Sequence, residues 1–228
     1  MIFGSTKILR LCSLKQTIIY SIDDIGSEVY KMSNKPLKKT LLSLPNKKLK
    51  KSMHDDEFIL SFGLPARITC PCAGECAKWC YGGHGNYLYR EPIEKRARNL
   101  EIAASPEFVE LMNAELKTWS YVKKLLVRIH DTGDFFSPRY LEDWITIARM
   151  NPDVTFYAYT KCVKMVKEHE LPDNFIVGFS YGGTQDDLIE PGDRQIKVFK
   201  KEVPEGWVNG SDDDHVMMNN LKTGLIYH

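Results

Sequence analysis

The stretch LLVRIHDTGDFFSPRYLEDWITIARMNPDVTFYAY, residues 125–159, decides how the chain folds. It opens with an apolar run at residues 125–130, of the kind a parallel sheet buries on both faces. Ser137-Pro138 then carries a helix-start signature. A serine hydroxyl can accept from a freed backbone N–H, and the fixed φ of proline suits the first turn. Leu141, Trp144, Ile145 and Ala148 recur on one helical face. A second apolar run at residues 154–159 completes a strand–helix–strand unit.

Reading outward, the same alternation repeats. Residues 58–62 form a short apolar run closed by Gly63 and Pro65. Pro92 suits a first helical turn, and Ile93, Ala97, Leu100 and Ala104 share a face behind it. Ser105-Pro106-Glu107 restarts a helix whose stripe is Phe108, Met112, Leu116 and Trp119. Downstream, residues 163–170 read as a short helix and residues 175–179 as a strand running into Tyr181-Gly182-Gly183. Residues 195–199 and 224–227 read as weaker strands. The expected fold is α/β: a parallel sheet of five or six strands covered by helices, as a truncated (β/α) barrel.

The chain of 228 residues is 43% apolar and 27% charged, with eleven Tyr, ten Phe and four Trp. That balance excludes a disordered polyelectrolyte, and no apolar run is long enough to span a membrane. The net charge of +1 hides an asymmetry: residues 1–56 hold eleven Lys/Arg against five Asp/Glu, a net of +6, which leaves −5 for the remainder. Residues 1–56 therefore read as a basic N-terminal extension and residues 57–228 as the α/β domain. The lysines at Lys47, Lys48, Lys50 and Lys51 are ordinarily a solvated face; contact with nucleic-acid phosphates is the sharper alternative.

Four of the six cysteines, Cys70, Cys72, Cys76 and Cys80, fall within eleven residues, while Cys12 and Cys162 stand apart. No convincing secretory signal precedes them, and a disulfide framework would spread its cysteines along the chain. A compact thiolate cluster instead suits a soft metal centre. Structural zinc usually takes two separated cysteine pairs, and no second pair follows here. A [4Fe–4S] cluster accommodates a single compact loop, with zinc as the alternative and His84 as a further donor. Three thiolates would leave one iron open for a substrate or cofactor; four would close it.

Three strand ends carry the remaining candidate chemistry. His130, Asp131 and Asp134, around Gly133, follow the second strand and are candidates for proton transfer and for positioning a ligand. Tyr159 and Lys161 end the third strand. Ser180, Gly182 and Gly183 end the fourth, where glycine lets backbone approach a ligand closely. All fall on the C-terminal edge of the sheet, the usual binding edge of parallel α/β folds. Asp212-Asp213-Asp214-His215 reads as a solvated acidic turn, with a divalent-cation site as the alternative.

From residue 46 to residue 228 the sequence resembles the bacteriophage family called gene product 88. The resemblance is carried by Thr69-Cys70-Pro71, Cys76, Cys80-Tyr81, Arg128-Ile129-His130, Gly133-Asp134-Phe135-Phe136-Ser137, Phe156-Tyr157-Ala158-Tyr159-Thr160-Lys161 and Tyr227-His228. It implies a phage-encoded protein of the infected cell's cytoplasm. It also implies Cys70, Cys76 and Cys80 as the ligand set, with Cys72 a departure that serves as substitute or fourth ligand. Cys162 falls where a serine or small residue is expected and is given no role. A looser resemblance is to radical S-adenosylmethionine enzymes, which place a three-cysteine loop after the first strand of a partial barrel. The spacing here, three then three residues from Cys72 or five then three from Cys70, departs from that class. The compact cysteine spacing, taken with the looser resemblance, leads to the expectation of an iron–sulfur protein acting on a small molecule or nucleotide, with S-adenosylmethionine as a candidate cofactor. The alternative is a non-enzymatic nucleic-acid-binding or host-interaction protein with a structural metal.

Overall fold

A computed structural model describes residues 40–226. Cys12, the lysines before residue 40 and the Tyr227-His228 motif lie outside the described residues. Seven parallel strands form one sheet: β1 (Glu57–Phe62), β2 (Lys124–Ile129), β3 (Val154–Thr160), β4 (Phe175–Ser180), β5 (Gln195–Phe199), β6 (Val208–Asn209) and β7 (Lys222–Ile226). Their order is β1-β2-β3-β4-β5-β7-β6, so the sheet grows sequentially until β7 inserts between β5 and β6. It curls into a half-barrel. The count exceeds the expected five or six because β6 is only two exposed residues, too short to show any periodicity.

Helices α1 (Lys47–Ser52), α2 (Arg90–Ala103), α3 (Phe108–Lys117), α4 (Pro138–Met150), α5 (Val163–Lys167) and α6 (His215–Asn219) complete the fold. Helix α4 starts as its sequence dictates: Ser137 caps it by accepting from the Tyr140 N–H at 3.2 Å, with Pro138 in the first turn. Its apolar face delivers Trp144 against Phe62 and Phe108, ring centroids 5.4 and 5.3 Å away in edge-on contact. This larger core fills one face of the sheet and includes Leu60, Val127, Ile129, Phe156 and Phe179. Residues of opposite parity point to the other face, where Ile59, Leu126, Tyr157 and Ile196 meet Leu49 of α1 and Met217 and Met218 of α6.

The segment before residue 57 does not behave as a separate extension where it is described. Leu41, Leu42 and Leu49 are buried, and Glu115 of α3 accepts the Leu41 and Leu42 backbone N–H groups at 2.6 and 3.0 Å. Ser43 also forms an antiparallel bridge to Ser61. Packing thus extends the domain at least to Leu41, because the leucines between the lysines are core residues. Among the described residues no helix is long and apolar enough to cross a membrane.

Candidate functional site

A cavity of about 400 Å³ opens at the C-terminal ends of β2, β3 and β4, with Val198 of β5 and Leu225 and Ile226 of β7 also lining it, where the cysteine loop folds over the strands. The loop winds through three short 3₁₀ turns, Glu75–Trp79, Tyr81–Gly83 and Gly85–Leu88, none with a buried residue. Backbone contacts seat it on the turn after β4. Ala73 bridges Gly183, the Cys76 N–H donates to the Gly182 carbonyl at 3.2 Å, and the Thr184 N–H to the Cys72 carbonyl at 3.0 Å. Gly182 has φ +97°, a conformation that favours glycine, and a Cβ on Gly183 would fall 2.9 Å from the Cys72 carbonyl oxygen. These two glycines therefore make room for the cysteine loop. Neither lines the cavity as the expected ligand-approach role requires, although Ser180 does.

The loop divides its cysteines. Cys70, Cys76 and Cys80 line the cavity; Cys72 does not. Cys72 is buried against Cys162, which shares a hydrogen bond with it and lies 3.4 Å from the Phe135 carbonyl oxygen. Burial pushes the Cys70 thiol up to about 12, with the Asp134 charge adding to it. Burial also raises Cys76, against the pull of Lys161. Both thiols are therefore protonated at neutral pH, and a metal binding there would have to displace their protons. His84, the further nitrogen candidate, does not line the cavity.

The strand-end residues meet at the same cavity, but most have their polar atoms committed. The Asp134 carboxylate accepts from Thr160 Oγ1, from the Phe135 N–H at 2.8 Å and from the Lys161 N–H at 2.9 Å, tying the end of β2 to the end of β3. Burial raises its pKa even so. Lys161 Nζ donates to Ser180 Oγ at 2.8 Å and to the carbonyls of Ser180 and Tyr181, both at 3.2 Å. Asp131 pairs with Arg96 at 3.1 Å, whose guanidinium lies over the Tyr87 ring. The Tyr81 hydroxyl donates to the Asp131 carbonyl and pins the cysteine loop to β2.

His130 has φ +66°, unusual for a residue with a side chain. Its Nε2 lies 3.0 Å from the Tyr140 hydroxyl, and its Nδ1 is buried without a partner. Burial lowers its pKa to about 3. Burial thus holds the imidazole neutral at physiological pH. Gly133 (φ +90°) lines the cavity beside it, and a Cβ there would lie 2.6 Å from Thr69 Oγ1.

The acidic turn departs most from its reading. Asp214 is fully buried. Its carboxylate meets Arg128 at 3.1 Å and Lys48 at 3.3 Å, and accepts from the Tyr157 and Tyr159 hydroxyls at 2.9 and 3.2 Å. Burial alone would raise its pKa, but Arg128 and Lys48 hold it below the usual carboxylate value. Asp212 pairs with Lys51 at 3.0 Å on the surface. The lysine run and the aspartate run, both read as solvated, therefore partly neutralise one another. Lys48 reaches inward to Asp214 and lines the cavity rather than standing wholly on a solvated face.

Nearby, His54, Glu57 and His215 are the one group of three metal-capable side chains, among the described residues, whose ligand atoms all lie within 4.8 Å. The two imidazoles stack with centroids 4.1 Å apart and planes 12° apart, so one ion cannot lie in both ring planes.

Arg128 and the aromatic wall of Trp79, Tyr81 and Tyr87 also line the cavity and were assigned no role from sequence. Arg128 had one signal: it is a lone charge inside an apolar strand, on the same face as Ser61 and Tyr157 by register.

Fold and site together define an α/β half-barrel protein with three thiols over a ligand-sized cavity at its strand ends. The family described as Gene product 88 matches residues 29–226, and the chain belongs to it. It is similar to the Gene 88 protein of Mycobacterium phage L5, 34% identical over 113 residues, which is 44% of this chain and 47% of that protein. It is equally similar to the Gene 88 protein of Mycobacterium phage D29, 34% identical over 112 residues, again 44% and 47%. The matched region thus spans about half the length of these curated relatives. No solved structure matches the chain.

Proposed function

We propose that Cys70, Cys76 and Cys80 hold an iron–sulfur cluster at the cavity mouth, and that the protein acts on a small molecule or nucleotide bound beneath it. The observation that carries this reading is the division of the cysteines. Three thiols line the cavity, while Cys72 turns away to Cys162. The donor set favours a cluster over zinc. A single tetrahedral zinc with Zn–S of about 2.3 Å draws its sulfurs to about 3.8 Å apart. The one described trio of metal-capable side chains drawn within 4.8 Å contains no cysteine. Thiols spaced more widely around a cavity suit a larger multi-iron centre.

When bound, such a cluster supplies one-electron reduction. The chain's own residues do the rest. The β4 turn fixes the loop, Asp134 and Lys161 fix the strand ends on which it rests, and Trp79, Tyr81 and Tyr87 wall the cavity. Reductive or radical chemistry is the activity in this reading, with S-adenosylmethionine the cofactor to test first.

Protein purified without oxygen should contain iron and acid-labile sulfide and show a broad visible absorbance that bleaches on reduction. Stoichiometric zinc without sulfide would overturn the assignment. Calorimetric titration of S-adenosylmethionine into loaded protein tests the cofactor separately; no binding would remove it while leaving the cluster in place.

A further inference from the structure

We infer that the ligand of this cavity carries an oxyanion, a carboxylate or a phosphate, that docks on Arg128 and Lys48 on the inner face of the half-barrel. This names the substrate class of the site proposed above and rests on that reading only in taking the cavity to be a ligand site.

The charges favour an anion. Lys48, Arg67, Arg128 and Lys161 line the cavity, and Arg96 stands behind Asp131. Against these five cations stand three carboxylates, Asp131, Asp134 and Asp214. Asp131 is matched by Arg96, and Lys161 donates to oxygens of Ser180 and Tyr181. Arg128 and Lys48 are left sharing one carboxylate, Asp214. One positive charge is therefore in excess where the cavity reaches the inner sheet face.

The guanidinium is also unsaturated. Its Nη1 serves Asp214, while its Nε is buried with no hydrogen-bond partner. The Tyr159 ring lies 5.0 Å from its centre and holds the side chain in place. An arginine with a buried, unpartnered Nε is costly to fold around, and an oxyanion offers the paired oxygen acceptors that its fork matches. Lys48 sits beside it with its side chain 33% exposed, its pKa lowered first by burial and also by Arg128. An anion would relieve the repulsion between the two cations.

The test is calorimetry on the full chain, with inorganic phosphate in one arm and acetate in the other, ionic strength being held constant with chloride. Saturable binding of either anion is expected, and the arm that binds tells phosphate from carboxylate. Lys48→Gln should weaken it roughly tenfold, as loss of one charge-assisted contact does. Because Lys48 is partly exposed, that variant should melt near the wild-type temperature. Arg128→Gln should abolish binding; should it fail to fold, Lys48→Gln alone decides. No saturable binding of either anion to folded wild type would overturn the inference. So would affinity unchanged in Lys48→Gln. A protein that binds phosphate but carries no iron would refute the cluster and leave this inference standing; one that carries iron but binds neither anion would do the reverse.

Discussion

The cysteine loop and the inner sheet face wall the same cavity, yet they hold their polar groups differently. Asp214 receives two cations and two hydroxyls, and Asp134 receives three donors. The thiols of Cys70, Cys76 and Cys80 instead line the cavity from residues that are only half-buried, Cys76 on a 3₁₀ turn that buries no residue. The comparison suggests a division of labour. Paired, buried carboxylates fix the sheet ends, and the loop presents groups still able to take a ligand. Substitutions in the two regions should separate accordingly, stability falling in one and metal content in the other.

The largest effect is expected at Asp214. Asp214→Ala removes the one buried carboxylate that Arg128 and Lys48 share, and leaving a buried pair half-made typically costs about 3–5 kcal/mol. Chemical denaturation should show a loss of that order, whereas Cys76→Ala, on the loop, should lose less than about 1 kcal/mol. A loss under about 1 kcal/mol in Asp214→Ala would break the comparison, since the buried network would then not be holding the sheet.

Asp134→Asn comes next. All three of its donors point at carboxylate oxygens, so an amide must set its own N–H₂ against one of them. An unmade buried hydrogen bond costs about 1–3 kcal/mol. Loss of stability with metal content retained per folded molecule is the expected pattern. Wild-type stability combined with lost ligand binding would return Asp134 to the reacting site, where the sequence alone had placed it.

His130 gives the comparison a pH dependence. Its folded pKa, about 3, lies below the ordinary histidine value of about 6.5. Between those values the unfolded chain binds the proton that the folded one refuses, so stability falls as pH falls through this window. The term is fully present as stability above about 6.5, and between pH 6.5 and 5 it should remove about 1–2 kcal/mol. Asn tolerates the left-handed backbone that His130 adopts, so His130→Asn should flatten that part of the curve. An unchanged slope would mean that the imidazole is not buried neutral.

Much of the scaffold was legible. The apolar runs of β2 and β3, and the Ser137-Pro138 start of α4, fixed strand–helix alternation locally, and β5 falls where residues 195–199 were read. The C-terminal edge followed from that alternation, and it does gather His130, Asp134, Lys161 and the cysteine loop. What escaped depends on contacts between distant segments. Nothing local tells Asp214, fully buried, from Asp212, exposed two residues earlier, because tertiary burial separates them. Lys48 likewise looks like Lys47 until α1 packs Leu49 into the sheet. Gly182 and Gly183 were read as leaving room for a ligand, whereas the segment packed against them is the cysteine loop.

The smallest expected change is the most discriminating within the loop. Cys72 and Cys70 are two residues apart, and composition gives no reason to treat them differently. Cys70 lines the cavity, whereas Cys72 is buried with Cys162, whose thiol burial and that contact push far up. Cys72→Ala deletes one buried sulfur, a group about the size of a methylene, so it should cost about 1 kcal/mol. Iron and sulfide per chain should stay near the wild-type level. Cys70→Ala, Cys76→Ala and Cys80→Ala should each empty the site with little change in the unfolding midpoint of the metal-free protein. Parallel metal analysis and thermal melts of the four variants decide the matter. If Cys72→Ala empties the site and Cys70→Ala leaves it full, the ligand set starts at Cys72, and the loop must rearrange on binding to turn that thiol out of its contact with Cys162.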